Sequence, residues 1–509
     1  MTVRLTGFLG GFFSIVWTLV LFSSCTGGYA PHAAEMLASG YVAAPSPTGA
    51  TAGATAGGEQ NIGLARQTIA SGSVPRPGSF SAEGLFSEHD IATEGRAADR
   101  VLSLRPGLAL LRLPDSEAPS AIIQVGMASN VDLSTFRRRP QNLAVVVDRS
   151  GSMSGEKIKA VRRALHRLVD QLGPEDSLAL VLFDSSAEVV LESAPVEEKG
   201  TIEELVDEIE ADGSTDIEEG LRLGYEEVSR GAGRAGRADR VILFTDALPN
   251  TGRTDEESFL ALARSGAKEG IGLTVFGVGL DLGWELARAI SELEGGNYFY
   301  LEDADRIGTV FDRDLDLLVT PIAYRLRLAV EPAPGFRTAA VYGVPGSDPS
   351  RPASALELEV ATVFLSRNRG AIALRLEPES GAMPAKPGFR VATVRLTYRT
   401  PGGEDVREEI AVAYEGTTLA GRSTWFSGPG ARKLAILVEE YATLEAACRA
   451  YHEESDAPKA DRLLAALEET LAGEAASLSD DGLREELEMV RRLRENVGRE
   501  APARGSSAG

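Results

Sequence analysis

The sequence has few of the residues that most often carry enzyme catalysis or cross-link a fold. Among its 509 residues there are two cysteines, Cys25 and Cys448, and four histidines. Two cysteines so far apart provide neither a disulfide framework nor a thiolate zinc site. Because these shortages leave little material for catalysis, we expect a protein that is not an enzyme.

Positive charge is also in short supply. Lysine and arginine together number 52 against 75 acidic residues, which gives a net charge of −23 at pH 7. A protein that binds nucleic acid must neutralise phosphates with a basic face, so the sequence argues against a nucleic-acid partner. Solubility is a sufficient explanation of the acidic surplus.

Long apolar runs are confined to the amino terminus. Arg4 precedes an apolar stretch at residues 5–22, which leads into Ser23-Ser24-Cys25. Residues 1–25 resemble a bacterial signal peptide with a lipobox, in which Cys25 becomes the lipidated first residue of a lipoprotein. The alternative is an uncleaved anchor, since about 17 apolar residues suffice to span a bilayer. Both alternatives predict an exported protein attached to the membrane of the cell envelope.

A low-complexity tether is predicted for residues 26–90. Residues 26–60 are rich in alanine, glycine, threonine, serine and proline, above all at 48–58. Such a composition buries too little apolar area to offset the entropy of ordering the chain. A flexible tether would lift the folded domains off the membrane.

Residues 140–320 alternate between strand-like runs and amphipathic segments of helical length. This pattern is typical of a parallel sheet covered by helices on both faces, an α/β domain. Ligands of such sheets bind beyond the carboxyl ends of the strands. The predicted strands are 143–147, 177–183, 187–191, 240–244, 273–278 and 297–300, and the predicted helices are 156–172, 202–209, 217–230, 255–268, 284–293 and 304–317.

Five oxygen-bearing side chains lie where this domain should bind a ligand. Asp148, Ser150 and Ser152 follow the first predicted strand, Thr215 lies in a later loop, and Asp246 follows the fourth strand. Hard divalent cations prefer oxygen donors, and Mg²⁺ takes few protein ligands. Two carboxylates roughly balance a dication, and uncharged hydroxyls leave it electrophilic toward an anion. We therefore predict a Mg²⁺ site, with Ca²⁺ or Mn²⁺ as alternatives.

The order of these residues resembles the metal-ion-dependent adhesion site of von Willebrand factor A domains. The resemblance covers about a third of the chain and implies a Rossmann-like, doubly wound domain whose motif hydroxyls bind the metal directly. It also implies that a partner protein's Asp or Glu completes the coordination shell. Ala247 stands where the family usually has glycine, and Asp216 stands where asparagine is common. Asp216 would add a carboxylate near the metal and either favour Ca²⁺ or weaken the attraction for an acidic partner.

Alternating apolar residues predict antiparallel strands on both sides of the α/β domain. We expect the strands of residues 91–139 to join an antiparallel β-sandwich at residues 321–420, so that the metal-binding domain is inserted into a β-domain. The predicted strands are 108–113, 121–127, 324–330, 337–342, 355–364, 371–376, 389–398 and 410–414.

The carboxyl-terminal region, residues 428–498, is predicted to be helical. Apolar residues spaced three and four apart form one seam that includes Cys448, with breaks near Pro458 and Gly473. A small bundle that packs on itself or on the sandwich is the simpler interpretation, and a partner-binding or oligomer-forming helix is the alternative. Cys448 then serves as buried apolar filling. The tail at residues 499–509 is predicted to be disordered.

Together these features predict a divalent-cation-dependent protein-binding module, an adhesion or scaffold protein displayed on the bacterial envelope. The metal would capture an acidic residue of a partner. One alternative is a metal-assisted hydrolase, because Mg²⁺ can polarise a phosphate or activate water. That alternative lacks an evident base, and Ser150 occupies the place of the second aspartate of phosphoryl-transfer folds. Another alternative is a regulator of a membrane channel or transporter.

Overall fold

The computed structural model describes residues 51–93, 99–113, 118–231, 236–246, 256–278, 289–290, 293–301, 315–344, 356–384, 388–416 and 424–499. Cys25, Ala247, residues 500–509 of the tail, and most of the predicted helices at 284–293 and 304–317 lie outside these ranges. Within them the chain forms two β-sheets and a group of helices.

The strands, in chain order, are β1 (Thr51–Ala56), β2 (Gly58–Glu59), β3 (Ser103–Leu111), β4 (Ser120–Asp132), β5 (Gln141–Asp148), β6 (Ser177–Phe183), β7 (Ala187–Pro195), β8 (Ala238–Thr245), β9 (Gly272–Val278), β10 (Gly296–Leu301), β11 (Pro321–Pro332), β12 (Phe336–Tyr342), β13 (Leu356–Ser366), β14 (Ala371–Pro378), β15 (Arg390–Arg399), β16 (Asp405–Ala413) and β17 (Trp425–Phe426). The helices are α1 (Gly63–Ala70), α2 (Ala82–Ser87), α3 (Glu156–Gln171), α4 (Lys199–Asp207), α5 (Ile217–Gly231), α6 (Glu256–Lys268), α7 (Leu315–Leu318), α8 (Pro429–His452), α9 (Ala457–Leu478) and α10 (Asp481–Arg499).

The first sheet is mostly parallel, with the strand order β2-β10-β9-β8-β5-β6-β7. Only the edge strand β7 runs antiparallel to its neighbour, β6. Val145 and Val147 of β5 belong to one buried cluster with α3, whereas Ala144 and Val146 belong to a second cluster with α5. Both faces of the sheet are therefore covered, as the apolar strands require. The predicted doubly wound α/β fold is confirmed.

This topology brings two predicted ligand positions together. β5 ends at Asp148 and β8 ends at Thr245, one residue before Asp246. The two strands are parallel neighbours, with Val147 paired to Phe244. Because parallel neighbours end at the same edge of the sheet, both aspartates lie at that edge.

The second sheet is antiparallel and has ten strands within the described residues. Its main path is β12-β14-β4-β1-β13-β11-β15-β16, and β3 pairs with both β4 and β17. The sheet branches at β4, which pairs with β3, with β14 over one stretch and with β1 over another. Strands from both sides of the α/β domain therefore belong to one sheet, which connects the chain before that domain with the chain after it.

The antiparallel sheet encloses a core of its own. Ile123 of β4, Leu328 of β11, Leu374 of β14 and Leu396 of β15 are buried in one cluster. The hydroxyl of Tyr398 donates to the backbone oxygen of Leu102 over 2.9 Å and so connects β15 with the start of β3. The sheet therefore curls around this core rather than lying flat.

The amino-terminal part of the described chain differs from its prediction. Residues 51–90 were expected to belong to a tether, but they form β1, β2, α1 and α2. β1 lies between β4 and β13 in the antiparallel sheet, and β2 pairs with β10 in the parallel sheet. Backbone pairing on both sides of β1 supplies the stabilisation that its small side chains do not. The tether prediction is therefore wrong for these residues, and residues 26–50 lie outside the described ranges.

Three long helices, α8 to α10, form the carboxyl-terminal region, as predicted. Leu434, Leu444 and Cys448 of the seam on α8 are buried in one cluster with residues of α1, α2, α9, α10 and the antiparallel sheet. The interpretation as a bundle that packs on itself and on the sheet therefore fits. One predicted break is wrong, because α9 continues through Gly473 and ends before Ser479, which is left-handed with φ 53°. No helix of the described residues is long and apolar enough to cross a membrane.

Candidate metal site

The two aspartates of the candidate site are held by the rigid centre of the parallel sheet. Asp148 and Asp246 are each 0 % exposed, although both are charged residue types that seldom occur fully buried. The sequence produces this position because Asp148 comes directly after the apolar residues of a central strand, and Asp246 is separated from those of its strand by Thr245 alone. A buried carboxylate needs a cation or hydrogen-bond donors beside it.

The turn after β5 brings two serine hydroxyls to these carboxylates. The backbone N–H of Ser150 donates to Asp148 Oδ1 over 2.9 Å, which closes the turn. One turn of 3₁₀-helix at Gly151–Met153 then places Ser152 Oγ 3.0 Å from Ser150 Oγ. Ser152 Oγ donates to Asp246 Oδ1 over 2.8 Å. Four of the five predicted ligands are thus connected by one series of hydrogen bonds.

Thr215, the fifth predicted ligand, lies in a loop that is bonded to the same turn. The backbone N–H of Gly151 donates to Gly213 O over 3.0 Å, and the N–H of Asp212 donates to Arg149 O over 2.7 Å. Gly213 has φ +83°, a left-handed conformation that glycine adopts without strain. Thr215 itself is 2 % exposed. Three loops are therefore joined where the predicted ligands lie.

Asp216, which the sequence suggested would lie near the metal, also has a structural role. Its carboxylate accepts a hydrogen bond of 3.2 Å from the backbone N–H of Glu219, in the first turn of α5. Its own N–H donates to Asp184 O over 2.6 Å. Asp216 therefore caps α5, a role for which aspartate is well suited, and it attaches the Thr215 loop to the end of β6.

The electrostatics of the site favour a bound cation. Burial raises the pKa of Asp148, the charge of Asp246 raises it further, and hydrogen bonds from Thr245 and Ser150 oppose this change. Two neighbouring buried carboxylates repel each other, and a divalent cation between them removes that repulsion. The donors are two carboxylates and three hydroxyls, all hard oxygens, so the residues present fit Mg²⁺ or a similar ion.

The described residues contain no group of three or more histidine, cysteine, aspartate or glutamate side chains that could hold a metal ion. The candidate site does not conflict with this finding, because three of its five donors are hydroxyls.

Two residues of the site were not predicted. Thr245 Oγ1 donates to Asp148 Oδ2 over 2.6 Å, and Lys157 Nζ lies 2.6 Å from Asp246 Oδ2. Lys157 belongs to the first turn of α3, where a positive charge opposes the helix dipole. That unfavourable placement is a signal in the sequence that could have identified Lys157. Thr245 carries no such signal, because threonine at the end of a strand is ordinary.

Beside the candidate ligands, the exposed edge of the site carries a second ion-pair group. Arg149 Nε donates to Asp184 Oδ2 over 2.8 Å, and its guanidinium also pairs with Glu188 at 2.9 Å. The Arg149 side chain is about a quarter exposed, and that of Glu188 is more than half exposed. The surface around the candidate ligands is therefore charged and polar.

Comparison with known proteins identifies the α/β domain. Residues 142–313 match the von Willebrand factor type A domain. An uncharacterised protein of Synechocystis is 32 % identical over 193 residues, which are 37 % of this chain and 44 % of that protein. Human inter-alpha-trypsin inhibitor heavy chain H4 is 29 % identical over 164 residues, 31 % of this chain and 18 % of that protein. The match thus spans less than half the length of either relative.

Among solved structures, a von Willebrand factor type A protein of Catenulispora acidiphila is similar with a TM-score of 0.48 and 15 % identity, over 77 % of this chain and 91 % of that one. The match to the domain family and the fold agree that the chain contains a von Willebrand factor type A domain. The structure of proximal thread matrix protein 1 from the mussel byssus, whose metal-ion-dependent adhesion site is occupied by zinc, is also similar, with a TM-score of 0.30 and 23 % identity over 35 % of this chain and 46 % of that one.

Proposed function

We propose that this protein binds another protein through a divalent cation held at its type A domain, and that the cation captures an acidic residue of the partner. The observation that carries the proposal is the series of hydrogen bonds from Asp148 through Ser150 and Ser152 to Asp246. It gathers oxygen donors from two strand ends at one edge of the sheet. That edge is where open α/β sheets bind their ligands.

Each residue of the site has a distinct part in this proposal. Ser150, Ser152 and Thr215 supply neutral oxygens, and Asp148 and Asp246 supply negative charge directly or through water. When bound, a divalent cation offers the partner's carboxylate a strong electrostatic contact that the protein's own side chains do not provide. Ser152 is exposed whereas Asp148, Ser150 and Asp246 are buried, so the partner would approach from the side of Ser152.

Display on the cell envelope is the second part of the proposal. It rests on the sequence of residues 1–25, where an apolar stretch leads to Cys25 in a lipobox-like context. Labelling cells with a radioactive fatty acid tests it directly, because lipidation at Cys25 predicts incorporation that the variant Cys25→Ser loses. Incorporation that persists in the variant would contradict this attachment.

The metal-dependent mechanism predicts that Asp148→Ala abolishes both Mn²⁺ binding and partner capture. The substitution removes a buried anionic donor and leaves Ser150 without its acceptor. Ser152→Ala removes one exposed hydroxyl, and we expect it to weaken Mn²⁺ binding by roughly tenfold, the effect of about 1.4 kcal/mol. Isothermal titration measures Mn²⁺ binding, and a pull-down from envelope extracts with and without chelator measures partner capture.

A matched control is Asp207→Ala, because Asp207 is an exposed aspartate of the same domain that contacts His166. It should bind Mn²⁺ and partners as the unmodified protein does. Capture that survives both chelation and Asp148→Ala would overturn the mechanism. Turnover of phosphoesters or peptides that disappears in Asp246→Ala would favour the hydrolase alternative instead.

A further inference from the structure

Lys157 places an ammonium group directly on one of the candidate ligands. Its Nζ is 2.6 Å from Asp246 Oδ2, while Asp246 Oδ1 accepts the hydrogen bond from Ser152. The Asp246 side chain is 0 % exposed and that of Lys157 is 29 % exposed. A short hydrogen bond between two charged groups in this setting is among the stronger contacts of a folded protein.

The position of Lys157 in the first turn of α3 is unfavourable unless the contact with Asp246 compensates for it. α3 begins at Glu156, and its amino-terminal end carries a partial positive charge that repels a lysine in the first turn. Lys159 lies two residues further along, where its side chain is 58 % exposed and pairs with Glu156 on the surface. Lys157 instead extends inward to a buried carboxylate. The two lysines of one helix turn therefore differ in environment although they share the same charge.

We infer that Lys157 is a positioning residue that sets how tightly this site holds its metal and how strongly the loaded site attracts a carboxylate. The inference rests on the proposed function, because it concerns the same metal. Lys157 holds Asp246 in place with its positive charge, so the metal must share that carboxylate with the ammonium group. The lysine therefore weakens metal binding.

The positive charge of Lys157, which weakens metal binding, strengthens the binding of a partner's carboxylate. Asp148 and Asp246 together cancel the charge of a divalent cation, so the loaded site would be neutral without Lys157. With Lys157 beside Asp246, the loaded site keeps one net positive charge close to the surface. A partner's carboxylate is attracted to that charge over several ångströms. Lys157 thus lowers the affinity of the site for the metal and raises the affinity of the loaded site for an acidic partner.

The experiment compares Lys157→Met, Lys157→Arg and Lys159→Met with the unmodified protein, with Mn²⁺ alone as the first probe. We expect Lys157→Met to bind Mn²⁺ at least about tenfold more tightly in isothermal titration, because a charge that repels the ion is removed. Lys157→Arg keeps the charge and should stay within about threefold of the unmodified protein. Lys159→Met, whose charge lies on the surface, should change nothing.

The second probe is acetate, added to protein saturated with Mn²⁺. A carboxylate that reaches the ion displaces a bound water, which lowers the relaxation rate of the water protons. The acetate concentration that gives half of this effect should rise several-fold in Lys157→Met and remain unchanged in Lys159→Met. A role of Lys157 in stability alone would not move Mn²⁺ and acetate affinities in opposite directions.

The outcomes separate this inference from the function on which it rests. If the unmodified protein binds no Mn²⁺, the proposed function fails. If it binds Mn²⁺ but Lys157→Met binds the ion equally or more weakly, the inference fails and the metal site stands. Circular dichroism checks that the variants fold, and Lys157→Gln replaces Lys157→Met in every comparison if the methionine variant does not.

Discussion

Buried carboxyl groups in this protein differ in pKa according to the charged groups beside them. Burial opposes the charged form of Glu486, but Arg66 and His89 outweigh it and lower the pKa of Glu486 to about 2. Arg66 also contacts Glu88, so one guanidinium serves two carboxylates. Glu440 lies next to this group, and its burial together with the charge of Glu486 raises its pKa well above the usual value. The pKa of the same residue type is therefore lowered at one position and raised at the neighbouring one.

The raised pKa of Glu440 predicts how the stability of the protein changes with pH. Neither oxygen of the Glu440 carboxyl group accepts a hydrogen bond, and neither does Glu486 Oε2, so a neutral Glu440 can donate a hydrogen bond to Glu486. The pKa of Glu440 is higher in the folded protein than in the unfolded chain. Its stabilising effect is therefore complete at low pH and is lost as the pH rises through the folded-state pKa.

We expect Glu440→Gln, which keeps a donor toward Glu486 but never ionises, to become more stable relative to the unmodified protein as the pH rises from 5 to 9. Urea unfolding at each pH gives the two free energies of unfolding. Glu453→Gln is the control, since Glu453 is an exposed glutamate just after α8. A stability difference that stays constant over this pH range would show that the pKa of Glu440 is not raised in the folded protein.

At the scale of residues, the sequence predicted which candidate ligands come together but not the contacts that support them. Asp148, Ser150 and Ser152 are close in the chain, so their spacing alone predicts that they meet in one turn. Lys157 meets Asp246 only because α3 and β8 pack at the same edge of the sheet. The contact of Arg66 with Glu486 likewise depends on α1 reaching α10. Such contacts follow from the tertiary arrangement, which no local pattern encodes.

At the scale of elements, the predictions of helices and strands failed where packing outweighs local preference. β1 was missed because its alanines, glycine and threonines resemble a flexible linker. In the structure small residues are required there, since Ala54 is 0 % exposed and its oxygen accepts the N–H of Gly370 over 2.8 Å. A Cβ added to Gly370 would lie 2.7 Å from that oxygen. The composition of a segment gives its average apolar content. It does not show that neighbouring strands leave room only for small side chains.

The helix α9 continues through Gly473, where the sequence predicted a break. Glycine costs about 1 kcal/mol relative to alanine inside a helix, which is why a break was predicted there. The helix continues because Leu471 and Ala475, on either side, are buried against its neighbours. Gly473 itself is exposed, and an added Cβ would meet no atom within 4 Å.

We therefore expect Gly473→Ala to raise the free energy of unfolding by about 0.5–1 kcal/mol, because alanine restricts the unfolded chain without disturbing the fold. Gly430→Ala is the contrasting variant, since a Cβ on Gly430 of α8 would collide with the backbone oxygen of Ala92. That variant should lose stability instead. Urea unfolding of both variants tests the pair, and a loss of stability in Gly473→Ala would mean that α9 is not continuous through this position.

At the scale of the whole molecule, the chain from β1 to α2 contacts both sheets and the carboxyl-terminal helices. β1 is paired on both sides within the antiparallel sheet, and one residue later β2 joins the edge of the parallel sheet. Gly57 between them donates its N–H to Thr362 O over 2.7 Å. Arg66 of α1 then reaches Glu486 of α10. This segment therefore ties the type A domain to the β-domain and to the carboxyl-terminal helices.

Removing β1 and β2 should consequently destabilise more than one part of the protein. We compare a chain that starts at residue 61 with one that starts at residue 51, so that the two differ only in the residues of β1, β2 and their junctions. The shorter chain leaves edges of β4 and β13 unpaired and exposes backbone groups that β1 would satisfy. We expect its melting midpoint to fall by roughly 10 °C, the effect of several kcal/mol in a domain of this size. Equal midpoints in calorimetry would mean that β1 is dispensable for stability, and the segment would then act as the tether that its composition suggests.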